Sequence, residues 1–97
     1  VEIKCSSTRE IYISPFAVKI SSKTDLNPRT IEICYKNGET QEILNAKENV
    51  SDEDRIMTVF DSAAYIKIIE ASELIDLEQV EGIMYNGEMY YLENGSN

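Results

Sequence analysis

With 97 residues the chain can enclose one modest hydrophobic core but no deep cleft between two domains, and 42% apolar with 28% charged residues favours folding over disorder. No apolar run approaches the ~18 residues of a membrane span, and the first residues alternate apolar with charged instead of forming a signal sequence, so a soluble, cytoplasmic protein without membrane contact is expected. The net charge of −9 is unevenly placed: residues 1–47 are close to balance, whereas residues 48–97 hold twelve acids against only Arg55 and Lys67.

Val1, Ile3 and Cys5 alternate with Glu2 and Lys4, the period of a half-buried strand. Ile11 and Ile13 resume the alternation on odd positions, and Phe16, Val18 and Ile20 continue it on even ones, which predicts a bulge or bend at Pro15. Asn27-Pro28 marks a turn. Ile31, Ile33 and Tyr35 then lead through Asn37-Gly38 into Glu39–Leu44, a hairpin signal. A two-residue turn there pairs Ile31 with Leu44 and Ile33 with Glu42. A three-residue loop, Lys36 to Gly38 with Gly38 as the bulge glycine, pairs Ile31 with Ile43 and Ile33 with Gln41, and it is preferred over the two-residue turn, which would send Ile43 to the other face.

Ser51-Asp52-Glu53-Asp54 resembles a helix start, with a capping serine and acids in the first turn. Ile56, Met57, Val59, Phe60, Ala63 and Ala64 fall in one arc of a helical wheel, so a short helix is expected over about residues 52–62; a strand from Arg55 to Phe60 is the competing reading. A strand follows over Ala64–Glu70. From about Ile75 a further strand is expected, because the acids interleave with Leu77 and Val80 and separate no apolar helix face; Asp76 and Glu78 would then project side by side. Val80–Tyr85, Asn86-Gly87 and Glu88–Leu92 form a final hairpin, followed by a polar tail from about residue 94. The expected fold is β-rich α+β in a single domain, an antiparallel sheet curled into a small, partly closed barrel with the helix over one end.

The absence of histidine removes the commonest general base, zinc ligand and partner of a nucleophile, so no catalytic residue is assigned and no enzyme is expected. The acidic groups lack calcium-loop spacing, and Gly38, Gly87 and Gly95 each follow an asparagine in turn dipeptides, so no metal or other cofactor is expected. Cys5 and Cys34 read as free thiols, and the Asn49-Val50-Ser51 and Asn94-Gly95-Ser96 matches to the glycosylation pattern carry little weight. Scattered bases argue against direct nucleic-acid binding.

Three uses of the chain remain. The first is a non-catalytic inhibitor or regulator, docking its acidic half on a basic protein, such as one that itself binds nucleic acid. Its candidate contact residues are Glu70, Glu73, Asp76, Glu78, Glu81 and Glu88, with Tyr85, Tyr90 and Tyr91 from the tyrosine- and methionine-rich last hairpin. The second is a structural or homo-oligomeric subunit joined through open β-edges or that hairpin. The third is a small-ligand binder at a subunit junction.

Overall fold

A computed structural model describes residues 1–6 and 9–92, with the side chains of residues 4–6 left out. Nine strands occur in it: β1 (Glu2–Ser6), β2 (Arg9–Ile13), β3 (Ala17–Ser22), β4 (Thr30–Tyr35), β5 (Thr40–Asn45), β6 (Ile56–Asp61), β7 (Ala64–Glu70), β8 (Val80–Tyr85) and β9 (Glu88–Tyr91). They form two antiparallel sheets of order β1-β2-β3-β7-β6 and β5-β4-β8-β9. Ile3, Ile11, Ile13, Val18, Ile20 and Ile69 of the first sheet pack with Ile31, Ile33, Ile43, Leu44, Val80, Ile83 and Tyr85 of the second in one buried cluster. The β-rich antiparallel fold is as expected, while the described residues form no closed barrel. The polar tail lies outside the described residues.

Several local expectations are corrected. The chain reverses fully at Pro15, so the bent strand is instead two strands of a hairpin: Ser14 and Ala17 close the turn backbone to backbone at 3.0 Å, and the Ser14 hydroxyl accepts from the amides of Phe16 and Ala17. Ile13 faces Val18 and Ile11 faces Ile20. Odd positions are thus matched to even ones across the hairpin, and this produces the apparent slip of one residue. Phe16 sits at the exposed tip and leaves the core pattern.

The Asn37-Gly38 loop is the three-residue kind, since the Tyr35 carbonyl accepts from the Gly38 amide and the Tyr35 amide donates to the Glu39 carbonyl. Gly38 takes φ +89°. Ile33 faces Gln41 as expected, but Ile31 faces Leu44 and not Ile43, because a bulge lies between the two pairs. The bulge turns consecutive residues Ile43 and Leu44 both into the buried cluster, which a regular strand cannot do.

The expected helix over residues 52–62 is replaced by a 3-10 turn, Val50–Arg55, followed by β6. Asp52 anchors this turn by accepting from the Asn45 amide at 2.9 Å, and Arg29 pairs with Glu53. The helical arc predicted for Ile56–Ala64 presupposes a core beneath it. Met57, Val59 and Phe60 are exposed instead, and the β preference of Ile, Thr, Val and Phe prevails.

No strand begins at Ile75. Residues 71–76 cross from one sheet to the other, a second 3-10 turn spans Leu77–Gln79, and β8 starts at Val80. Asp76 caps that turn, its carboxylate accepting from the Glu78 amide at 3.3 Å. Asp76 and Glu78 are therefore not neighbours on one face of a strand.

Candidate contact surfaces

Of the acidic residues singled out by the sequence, Glu73, Asp76 and Glu78 lie on the crossing between β7 and β8, with Glu70 ending β7 and Glu81 near the start of β8. The backbone of the crossing is held firmly: the Ala71 amide donates to the Phe16 carbonyl at 2.8 Å, the Ile75 amide to the Pro15 carbonyl at 2.9 Å, and Gln41 Nε2 to the Glu73 carbonyl at 2.9 Å. Ile75 anchors the crossing in the core. Glu70, Glu73, Asp76, Glu78 and Glu81 are all exposed. The three ion pairs among the described residues join Arg29 to Glu53, Arg55 to Asp52 and Lys67 to Asp25. None involves a carboxylate of residues 70–81.

The last hairpin divides the remaining candidates. Tyr91 is 66% exposed and faces Gly82 across β8–β9, and the Leu92 amide donates to the Glu81 carbonyl, so Tyr91 stands at the same end as Glu81. Tyr85 is only 4% exposed and lies in the core, where it has no ring surface to offer a partner; the Arg9 guanidinium stacks 5.5 Å from its centre. Tyr90 is half-buried against the core, and its hydroxyl donates to Glu88 at 2.7 Å. Consecutive Tyr90 and Tyr91 thus take opposite faces, as a strand requires. Glu88 faces Tyr85 beside the turn, a hairpin's length from Glu81.

A second surface, unmarked in the sequence reading, lies on the β6–β7 hairpin. Beyond Ile56, whose side chain packs against the core, β6 is exposed on both faces: Met57 55%, Val59 41% and Phe60 63%. Met57 and Val59 pair with Ile68 and Ile66 of β7, giving an apolar stripe on the outer face of the sheet. The strand register continues this stripe to Lys19 and Tyr12. On the inner face Phe60 meets the Tyr65 ring edge-on, with centroids 5.0 Å apart. Beside it Lys67, 9% exposed, bonds the Thr58 hydroxyl and Asp25, both at 3.1 Å. A buried ammonium needs such partners, and they make this end of the inner face polar.

The backbone of β6 is open as well. A two-residue turn, Ser62-Ala63, joins β6 to β7, and such turns close on a hydrogen-bonded pair, here Asp61 with Ala64. Alternation then aims the amides and carbonyls of Met57, Val59 and Asp61 at β7, and those of Ile56, Thr58 and Phe60 away from it. The Ile56 amide bears this out by donating to the Glu53 carbonyl. The Ile56 carbonyl and both backbone groups of Thr58 and Phe60 face the open edge. The other edges are better covered: β1 approaches β9, and Asp52 of the first 3-10 turn occupies the last amide of β5.

On the chemical side, the described residues contain no group of three or more His, Cys, Asp or Glu placed to hold a metal ion, and no helix long and apolar enough to cross a membrane. Cys34 is a free, half-buried thiol; burial, with Glu32 and Glu81 nearby, pushes its pKa up and so reduces its nucleophilicity at neutral pH. Comparison of the chain with protein-family models, with curated proteins and with solved structures returned no match.

Proposed function

We propose that this chain is a non-catalytic protein-interaction module whose contact surface is the open edge of β6 with the apolar stripe of the β6–β7 hairpin. The observation that carries this reading is an edge strand with Met57, Val59 and Phe60 exposed. Unpaired edge amides and carbonyls are a template for another strand, and folded proteins ordinarily blunt such edges with charge, proline or a covering loop. Between Ile56 and Phe60 there is no charge and no proline. Strand addition also suits a structural subunit, which is the use of open β-edges expected from the sequence.

A second reading keeps the acidic half as the docking face of an inhibitor or regulator of a basic protein in the cytoplasm. The five exposed carboxylates of residues 70–81, which have no ion-pair partner among the described residues, favour it. Salt separates the two. A complex made through β6 rests on backbone hydrogen bonds and apolar burial, so raising ionic strength leaves it intact; a complex made through the carboxylates loses affinity steeply as the Debye length shrinks. The dissociation constant of the chain's complex, measured from low to high salt, decides between them. A large loss at high salt would reject the β6 reading.

A further inference from the structure

We infer that the strand completing the β6 edge is β6 of a second copy of this chain, paired antiparallel about a two-fold axis at Thr58. The inference rests on the β6-edge reading and supplies its partner.

An edge strand that pairs with its own copy must be complementary to its own reversal. With Thr58 opposite Thr58 of the second copy, Met57 lies opposite Val59, Ile56 opposite Phe60, and Arg55 opposite Asp61. Each apolar residue thus meets an apolar residue, and Arg55, whose guanidinium also pairs with Asp52 and donates to the Glu70 carbonyl at 2.7 Å within its own copy, stands across from Asp61 twice, once on each side of the axis. Glu53 and Asp54 lie in the 3-10 turn and Ser62-Ala63 in the turn to β7, so the pairing ends at Arg55 and Asp61 and no carboxylate is set opposite another within it.

The backbone agrees with this register. Pairs centred on Thr58 exchange hydrogen bonds at positions 56, 58 and 60, the same positions whose groups point away from β7. The Ile56 amide is occupied by Glu53, which leaves Thr58 to bond Thr58, and the Phe60 amide to bond the Ile56 carbonyl, on both sides of the axis. The side-chain faces agree as well. Met57 and Val59 both point to the outer face, so each Met57–Ile68 pair continues across the junction into the Val59–Ile66 pair of the other copy. The two five-stranded sheets become one continuous sheet, and because the contact is isologous it closes at two copies.

The chain carries −9, so two copies repel over distance, and screening by salt strengthens the pair.

Sedimentation or light scattering over a range of concentrations tests the inference, with circular dichroism confirming that each variant is folded. The wild type is expected to double in mass as concentration rises. Thr58→Pro removes an amide that points away from β7 and abolishes the doubling, whereas Thr58→Ser keeps both that amide and the hydroxyl bonded by Lys67 and preserves it. Asp61→Arg sets two cations opposite each other on both sides of the axis and weakens the dimer about tenfold or more. Adding Arg55→Asp to that variant restores it. A wild type that stays monomeric at every concentration overturns the second copy as partner while leaving the edge to a different protein. A dimer unaffected by Thr58→Pro and Asp61→Arg overturns both the register and the β6-edge reading. Open-ended growth in mass overturns the closed pair.

Discussion

The β6–β7 and β8–β9 hairpins share one device, a two-residue turn with both residues at positive φ, yet one is sealed into the molecule and the other stands free. At β8–β9 the turn residues are Asn86 (φ +48°) and Gly87 (φ +86°). The Asn86 side chain accepts from the amides of Arg29 at 2.7 Å and Thr30 at 3.1 Å and donates to the Asn27 carbonyl at 3.3 Å. Ile83 and Tyr85 then lie in the core. At β6–β7 the turn is Ser62 (φ +49°) and Ala63 (φ +66°), neither of which is at ease there, and no described residue clamps it from another part of the chain. The contrast separates what a hairpin does for its own fold from what it offers outward. Buried tyrosine and a clamped turn serve the fold, while exposed apolar residues on an open edge serve a contact.

The sealed hairpin should be the easier one to break by single substitutions. Gly82 lies beneath β9, and a Cβ there would stand 2.4 Å from the Tyr90 carbonyl oxygen and 2.7 Å from Met89 Cε. Backbone cannot retreat cheaply, so Gly82→Ala is expected to lower stability by about 3 kcal/mol in denaturant unfolding. Asn86→Ala removes three hydrogen bonds and keeps a strained φ, for an expected loss of about 2 kcal/mol. Asn86→Gly relieves the strain but not the lost bonds, so it should cost less, about 1 kcal/mol. If the two Asn86 variants unfold at the same denaturant concentration, turn geometry contributes nothing and the contrast between the hairpins weakens.

The free hairpin responds in the opposite direction. Ser62→Asn with Ala63→Gly installs the residues this turn prefers and is expected to raise stability by about 1 kcal/mol without altering association, because residues 62 and 63 lie outside the 56–60 pairing. A gain in stability coupled to a loss of self-association would show that the hairpin must flex to bind.

Much of the fold was readable from short-range chemistry. Asn37-Gly38 and Asn86-Gly87 announced their turns, and the alternating isoleucines announced the core strands. Harder to read was anything set by an absent core. Ile56–Asp61 has the composition of a buried strand and the wheel of an amphipathic helix, and sequence periodicity has no means of indicating that its apolar side chains remain in solvent. Ser62-Ala63 carries no turn signature, which concealed the hairpin. The acids of residues 70–81 were legible as exposed, but the cap formed by Asp76 and the buried position of Tyr85 depend on how the chain crosses between sheets. The mirror order of Arg55 to Asp61 was visible all along, and it acquires meaning only once β6 is known to be an edge.

Amide hydrogen exchange resolved at single residues, compared between dilute and concentrated protein, tests the pairing of the β6 edge with a second copy most directly. The account predicts that Thr58 and Phe60 exchange rapidly when dilute and become protected when concentrated, while Val59 and Asp61, already bonded to β7, keep their rates. Equal rates for Thr58 and Phe60 at both concentrations, or new protection confined to residues 70–81, would contradict it.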